Sequence, residues 1–287
     1  MRILLDAKDL INIAEKSRPV DVTAFADWLR EKNATTVLSF TNVSDVVGPA
    51  FATNTFLEKR VLLQALETLP LAYIREGTII EDELRAALAA YRTGQEPSAI
   101  DPYVSRWDET AKWTGEPATR ILVGQRLDDF VFMARRTIQA YKAEAAGIRR
   151  HIEAERGIPK AERWSLKQMF IGRTEDRLAA HGIDARGVDA LKFGQWLWND
   201  PKRCLGLRFH FEAHHYQVND HSLRFGEGDI ADFAHIAALP YVELLTVDKR
   251  IDDLLQKVCR KFHKTQPNCD LSARVFRDIE AVMKAMP

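Results

Sequence analysis

The stretch GDIADFAHIAALPYVELLTVDKRI, residues 228–251, decides how the rest of the chain is read. It opens as a helix, DIADFAHIAAL, continues as a strand, VELLTV, and passes through Asp248 into a second helix, RIDDLLQKVCRKF. Asp229 and Asp232 stand three apart at the start of the first helix, where positions i and i+3 share a face. Asp248 follows the apolar run directly. A carboxylate at the mouth of a strand is a poor choice for stability alone, so acids at both ends of a buried element ask for a reason.

The same grammar recurs at the other end of the chain. RILLD is a short apolar run ending in Asp6 and reads as a buried strand. TTVLSF is a strand rich in β-branched residues. It feeds a short helix, TNVSDVV, that carries Asp45. DVTAFADWLREK and FLEKRVLLQALETL have helical spacing, Asp21 is a candidate N-cap, and LAYI (71–74) is a third strand. ARVF (273–276) is a last strand, followed by a closing helix. Strand and helix alternate in residues 1–79 and 222–287, which predicts an α/β core with a parallel sheet flanked by helices. Residues 80–221 differ. They read as a large all-helical insertion that contributes no central strand. A loop is expected over 94–117, a long helix over 118–156, and a further helix capped by Ser165 and closed by Gly182.

Composition narrows the classes. With 287 residues, 46% hydrophobic and 29% charged, the chain is of ordinary globular composition. Lys plus Arg (41) equals Asp plus Glu (41), so global charge announces no nucleic-acid partner and any basic surface must be local. Cys204, Cys259 and Cys269 form no CxxC pair, which argues against a zinc knuckle and for a reducing, cytoplasmic compartment. The N-terminus does not read as a signal peptide. No apolar stretch approaches the roughly 20 residues needed to span a bilayer, so no membrane partner is expected.

In an open parallel sheet, ligands bind at the carboxyl ends of the strands. Asp6 and Asp248 would face one crevice there, with Asp45 leaning over the same edge and Asp229 and Asp232 on a helix beside it. Clustered carboxylates repel one another and are stable together when a divalent cation is bound, and hard oxygen donors select Mg2+ or Mn2+. Taken singly, Asp229 and Asp248 also suit helix caps. Lys8, Lys249 and Arg250 stand beside the acids and are candidate phosphate contacts, although a solvated charge is the commoner role. Residues 149–173 and 256–264 are locally basic. His210 and His214 share a helix face without an HExxH spacing or an evident third ligand. His235, one turn after Asp232, either orients a carboxylate or packs; packing is the expectation.

The pieces ILLDAKDLINIAE, VLSFTNVSDVV and GDIADFAHIAALPYVELLTVDKRI resemble the PilT N-terminal (PIN) and PIN-like domains, in their long bacterial form. In that family an aspartate ends the first strand, an acid sits in the helix after the second, a third begins a late helix and a fourth ends the next strand. By position these are Asp6, Asp45, Asp229 or Asp232, and Asp248. The resemblance implies a metal-dependent nuclease using Mg2+ or Mn2+, an endoribonuclease of toxin or RNA-processing type, with RNA favoured over DNA. The first motif departs from the family in reading Asp6-Ala7-Lys8, and the second acid is the shorter Asp45 rather than glutamate. These departures motivate an alternative: a degraded PIN-like binding module for nucleic acid or protein. The helical insertion would shape a substrate groove, a homodimer interface or a surface for a regulatory protein.

Overall fold

Short apolar runs buried on both sides require a sheet covered by helices on both faces. The computed structural model describes residues 1–15, 20–48, 56–110, 127, 134–159, 163–220, 229–266 and 269–286. Six strands form one sheet: β1 (Arg2–Leu4), β2 (Thr35–Ser39), β3 (Leu71–Ile74), β4 (Tyr103–Val104), β5 (Leu244–Thr246) and β6 (Val275–Phe276). The order is β4-β3-β2-β1-β5-β6, and every pairing is parallel except β3 with β4. Leu4 lies opposite Val37 on one side and Leu245 on the other. The chain leaves β1 toward β2 and β3, then returns on the other side of β1 to build β5 and β6. The strand order therefore reverses between β1 and β5, which makes their carboxyl ends the topological switch point.

Thirteen helices surround the sheet among the described residues. Those before the insertion are α1 (Ala7–Ala14), α2 (Val22–Glu31), α3 (Phe40–Val47) and α4 (Phe56–Leu66). The middle holds α5 (Ile79–Thr93), α6 (Ala134–Gly157), α7 (Leu166–Gly172), α8 (Thr174–Ala180), α9 (Ala190–Asn199) and α10 (Leu205–Asn219). The last three are α11 (Asp229–Ala238), α12 (Lys249–Thr265) and α13 (Ile279–Ala285). Side chains alternate along the strands, so Ile3, Leu5, Leu38 and Leu244 enter one layer with Leu10, Phe25, Val43 and Leu63. Leu4, Val37, Ile74 and Leu245 enter the other with Phe209, Ile236 and Leu255. Asp21 caps α2 by accepting from the Ala24 N–H at 2.8 Å, and Ser165 opens α7 with a capping box, as their sequence contexts predict. No helix among the described residues is long and apolar enough to cross a membrane.

The middle region departs from the expectation in two respects, the first being that the helix expected from Ser165 to Gly182 breaks at Arg173 into α7 and α8. The second is that residues 80–221 are not all helical, because β4 extends the sheet at its β3 edge as an antiparallel strand. Two residues are too few to show a strand period. They are held instead by distant partners: the Tyr103 hydroxyl donates to the Tyr241 carbonyl at 2.5 Å, and the Arg2 guanidinium lies 3.7 Å from its ring centroid. The rest of the expected helix over 118–156 is α6; residues 118–133 lie, apart from Leu127, outside the described residues. The helices of this region do two jobs. Leu84, Leu88, Phe170, Phe193, Leu197 and Leu207 make a core of their own, while Ile152, Phe209 and Ala213 pack into the layer beneath the sheet.

Gly206 lets α10 close on α11. A Cβ there would stand 2.6 Å from the Ala237 carbonyl oxygen and 3.0 Å from Ile79 Cγ2. The Gly206 and Leu207 N–H groups meanwhile donate to the buried Glu83 carboxylate at 2.7 and 2.8 Å. Gly206→Ala should therefore push α11 away and cost about 1–3 kcal/mol. Urea denaturation measures this, and a variant as stable as the parent would mean that the two helices separate freely.

Candidate functional site

β1 and β5 are parallel neighbours, so their carboxyl ends open on one edge. Asp6 stands two residues past Leu4, and Asp248 two residues past Thr246. Each begins a helix: Asp6 accepts from the Lys8 N–H at 3.2 Å and Asp248 from the Ile251 N–H at 2.8 Å. The capping role and the shared-edge placement thus coexist. Thr246 ties the two strand ends together. Its hydroxyl accepts from the Asp6 N–H at 2.8 Å and is hydrogen-bonded to the buried Asp9 carboxylate. Burial raises Asp9 to about 6, against the opposing pull of that hydroxyl.

The start of α3 is fixed by a reciprocal cap between Ser39 and Asn42. The Asn42 amide also donates to the Leu5 carbonyl at 3.3 Å, which clamps α3 onto the end of β1. Asp45, one turn further along, is brought within the field of Asp6. It is pushed up to about 7, first by burial and then by the charges of Asp6 and Glu76, with His235 opposing. Asp232 on α11 is also pushed up to about 7. Burial leads, His235 opposes, Asp6 and Asp248 add to the rise, and Arg250 offsets part of it.

At the centre lies a buried pair. His235 Nδ1 is 2.8 Å from Glu76 Oε2, with side-chain exposures of 3% and 1%. Glu76 Oε1 accepts from the Thr41 N–H at 3.3 Å. Burial favours a neutral imidazole, but the Glu76 charge and hydrogen bond, helped by Asp232 and Asp6, overcome it and raise His235 to about 9. Glu76 is held below its ordinary range, because His235, Ser39 and Thr41 outweigh its own burial. Asp6, Asp45, Glu76, Asp232 and Asp248 therefore share one electrostatic unit with a single imidazolium and the Arg250 guanidinium.

The other expected residues fall as follows. Asp229 is the first residue of α11, and its side chain lies outside the described residues. Lys8 and Lys249 are exposed in the first turns of α1 and α12, beside Asp6 and Asp248. Arg250 is engaged: its Nη2 is 3.3 Å from Asp232 Oδ2, so it neutralises an acid of the cluster. With Asp248, Lys249 and Lys257 it borders a cavity of about 560 Å³. The basic stretch 256–264 continues along α12, where Lys257 pairs with Asp220 at 3.3 Å and Lys261 with Glu212 at 3.1 Å. His235 corrects the packing expectation, since it is the ionic partner of Glu76. Glu76, Asp9 and Thr246 went unmarked in the sequence. Glu76 carried a signal, because it stands two residues past Ile74 at the end of β3, the spacing of Asp6 and Asp248.

The carboxylate donors suit a hard divalent cation in kind, and they outnumber the cationic groups among them. In spacing they are open: among the described residues, no group of three or more His, Cys, Asp or Glu side chains is gathered closely enough to hold a metal ion. Comparison with protein-family models, with curated proteins and with solved structures finds no match to this chain.

Proposed function

We propose that the chain is a PIN-like, divalent-metal-dependent nuclease that hydrolyses phosphodiester bonds at the edge between β1 and β5, with RNA favoured over DNA. The observation that carries this reading is that Asp6 and Asp248 both follow the carboxyl ends of neighbouring parallel strands at the switch point, where Asp45 and Asp232 are pushed up to about 7. Such an unbalanced carboxylate group is costly to bury without a cation. Asp6, Asp45, Asp232 and Asp248, which stand too far apart here to hold an ion together, would have to draw in around Mg2+ or Mn2+, with Asp229 beside them at the start of α11. Such an ion would supply positive charge to the phosphodiester and lower the pKa of an attacking water. Lys8 and Lys249, exposed beside the acids, would meet substrate phosphates, while Arg250 and the Glu76–His235 pair would keep the acidic edge in position.

A second reading has one observation in its favour. The imidazolium of His235 already supplies a positive charge to Glu76 and Asp232 from within the protein. A site that carries its own cation suits a PIN-like binding module that has lost catalysis. A Mn2+ titration separates the two. The nuclease reading expects millimolar Mn2+ to raise the melting temperature, as a ligand of the native state must, and to support cleavage of single-stranded RNA faster than DNA of the same sequence. An unmoved melting temperature with no cleavage leaves the binding module.

A further inference from the structure

Behind the Glu76–His235 pair lies a second cavity, of about 550 Å³, walled by α5, α6, α10 and α11. Among the described residues four imidazoles line it: His151, His181, His210 and His214. Phe233 stands between two of them, edge-on to His210 and His214 at centroid distances of 5.9 and 6.2 Å, and the His214 ring is stacked with His151 at 6.2 Å. The remaining wall is mostly small or aliphatic, and Glu76 closes the side nearest the acidic edge. Neither the His210 nor the His214 imidazole makes a hydrogen bond among the described residues. Burial, reinforced by neighbouring imidazoles and arginines, pushes His210 down to about 3 and His214 to about 4, so both are uncharged at neutral pH.

This lining selects by elimination. Among the described residues no Lys or Arg borders the cavity, which disfavours phosphate. The rings stack and cross rather than converge, and no metal-holding group is found among the described residues. A neutral imidazole offers one N–H donor and one acceptor, and the aromatic walls offer flat faces for stacking. An uncharged planar heterocycle with donors and acceptors on its rim matches all three properties. The cavity also shares Glu76 with the acidic edge, and Phe233 and Ala234 lie on the same helix as Asp232 and His235.

We propose that this cavity is a nucleobase pocket, which receives a base of the strand whose phosphodiester lies at the acidic edge. The choice of a nucleobase among planar heterocycles rests on the nuclease reading. Stacking and rim hydrogen bonds would make the pocket selective for particular bases. The cleavage position would then follow the base identity next to the scissile phosphate.

The test is calorimetric titration with the four ribonucleosides, which carry no phosphate and need neither divalent cation nor cleavage. At least one should bind at millimolar concentration or better. Gly147 lines the cavity from α6, and a Cβ there meets nothing within 4 Å, so Gly147→Leu fills the space without moving the backbone. It should weaken nucleoside binding about tenfold or more. His210→Phe keeps a ring but removes its nitrogens and should reduce discrimination between bases. Asp248→Asn should leave nucleoside binding unchanged. Absence of binding by all four nucleosides, or equal binding by Gly147→Leu, overturns the pocket even if the protein cleaves RNA. Stoichiometric Zn2+ uptake that is lost in His210→Phe, without nucleoside binding, overturns it in favour of a metal site. Nucleoside binding in a protein that never cleaves would uphold the pocket and sink the nuclease reading alone.

Discussion

On the nuclease reading, Asp248→Asn is expected to abolish Mn2+-dependent cleavage of single-stranded RNA while leaving the metal-free protein folded. Asparagine keeps the side-chain oxygen that accepts from the Ile251 N–H at 2.8 Å, and it caps helices about as well as aspartate. The fold should therefore not register the change as a lost cap. What disappears is one negative charge at the switch point. In the metal-free protein that charge is unfavourable, since it helps to raise Asp232, so the melting temperature should hold or rise. Activity should fall on the order of a hundredfold or more, because several kcal/mol of charge stabilisation in the transition state would depend on the cation that reading gives the acids. Asp248→Ala serves as the control: it removes charge and cap together and should add about 0.5–2 kcal/mol of destabilisation. If Asp248→Asn cuts RNA at the parental rate in Mn2+, Asp248 is a helix cap alone.

Much of this edge was legible because strand ends and helix caps leave local marks. LAYI stands in the structure as Leu71–Ile74, and Asp6 and Asp248 occupy the strand-end positions that their apolar runs foretold. Glu76 obeys the same spacing, but a charged residue, Arg75, separates it from its strand where Leu5 and Val247 are apolar. The run therefore reads as finished before the acid arrives. His235 was marked only by its place one turn after Asp232, which left orienting a carboxylate and packing both open. Its partner lies 159 residues away, and only the packing of α11 against the turn after β3 makes an ionic pair of them. β4 was invisible for the same reason, being held by Arg2 and Tyr241 rather than by its own pattern. The histidine-lined cavity needs four separate elements to exist, so single-chain periodicity could show only its His210–His214 component.

The Glu76–His235 pair sets the other large effect, a fall in stability with rising pH that the cation should reverse. His235 is raised, so the stability that its protonation adds is complete below its ordinary value of 6.5 and is lost as pH rises through about 9. Asp45 and Asp232 are raised too, so the stability from their protonated forms is complete below 3.8 and is lost as pH rises through about 7. All three act in one direction, and the metal-free melting temperature should decline steadily between about pH 5 and 9. Glu76 is lowered and acts oppositely, but only at the acid end, where its contribution is lost as pH falls below its ordinary value of 4.5. On the nuclease reading Mn2+ would bind the deprotonated carboxylates and should flatten the decline most above pH 7. Glu76→Gln keeps the side-chain shape and an acceptor for the Thr41 N–H, yet it removes the main counter-charge of a buried imidazolium. Breaking a buried pair from one side costs about 3–5 kcal/mol, which for a chain of this size is a loss on the order of 10 °C at pH 7. In the variant His235 loses its proton at lower pH, so the part of the decline lying between pH 7 and 9 should vanish. A Glu76→Gln protein with parental stability and an unchanged pH profile would show that the imidazole is neutral, and that the acidic edge has no cation of its own.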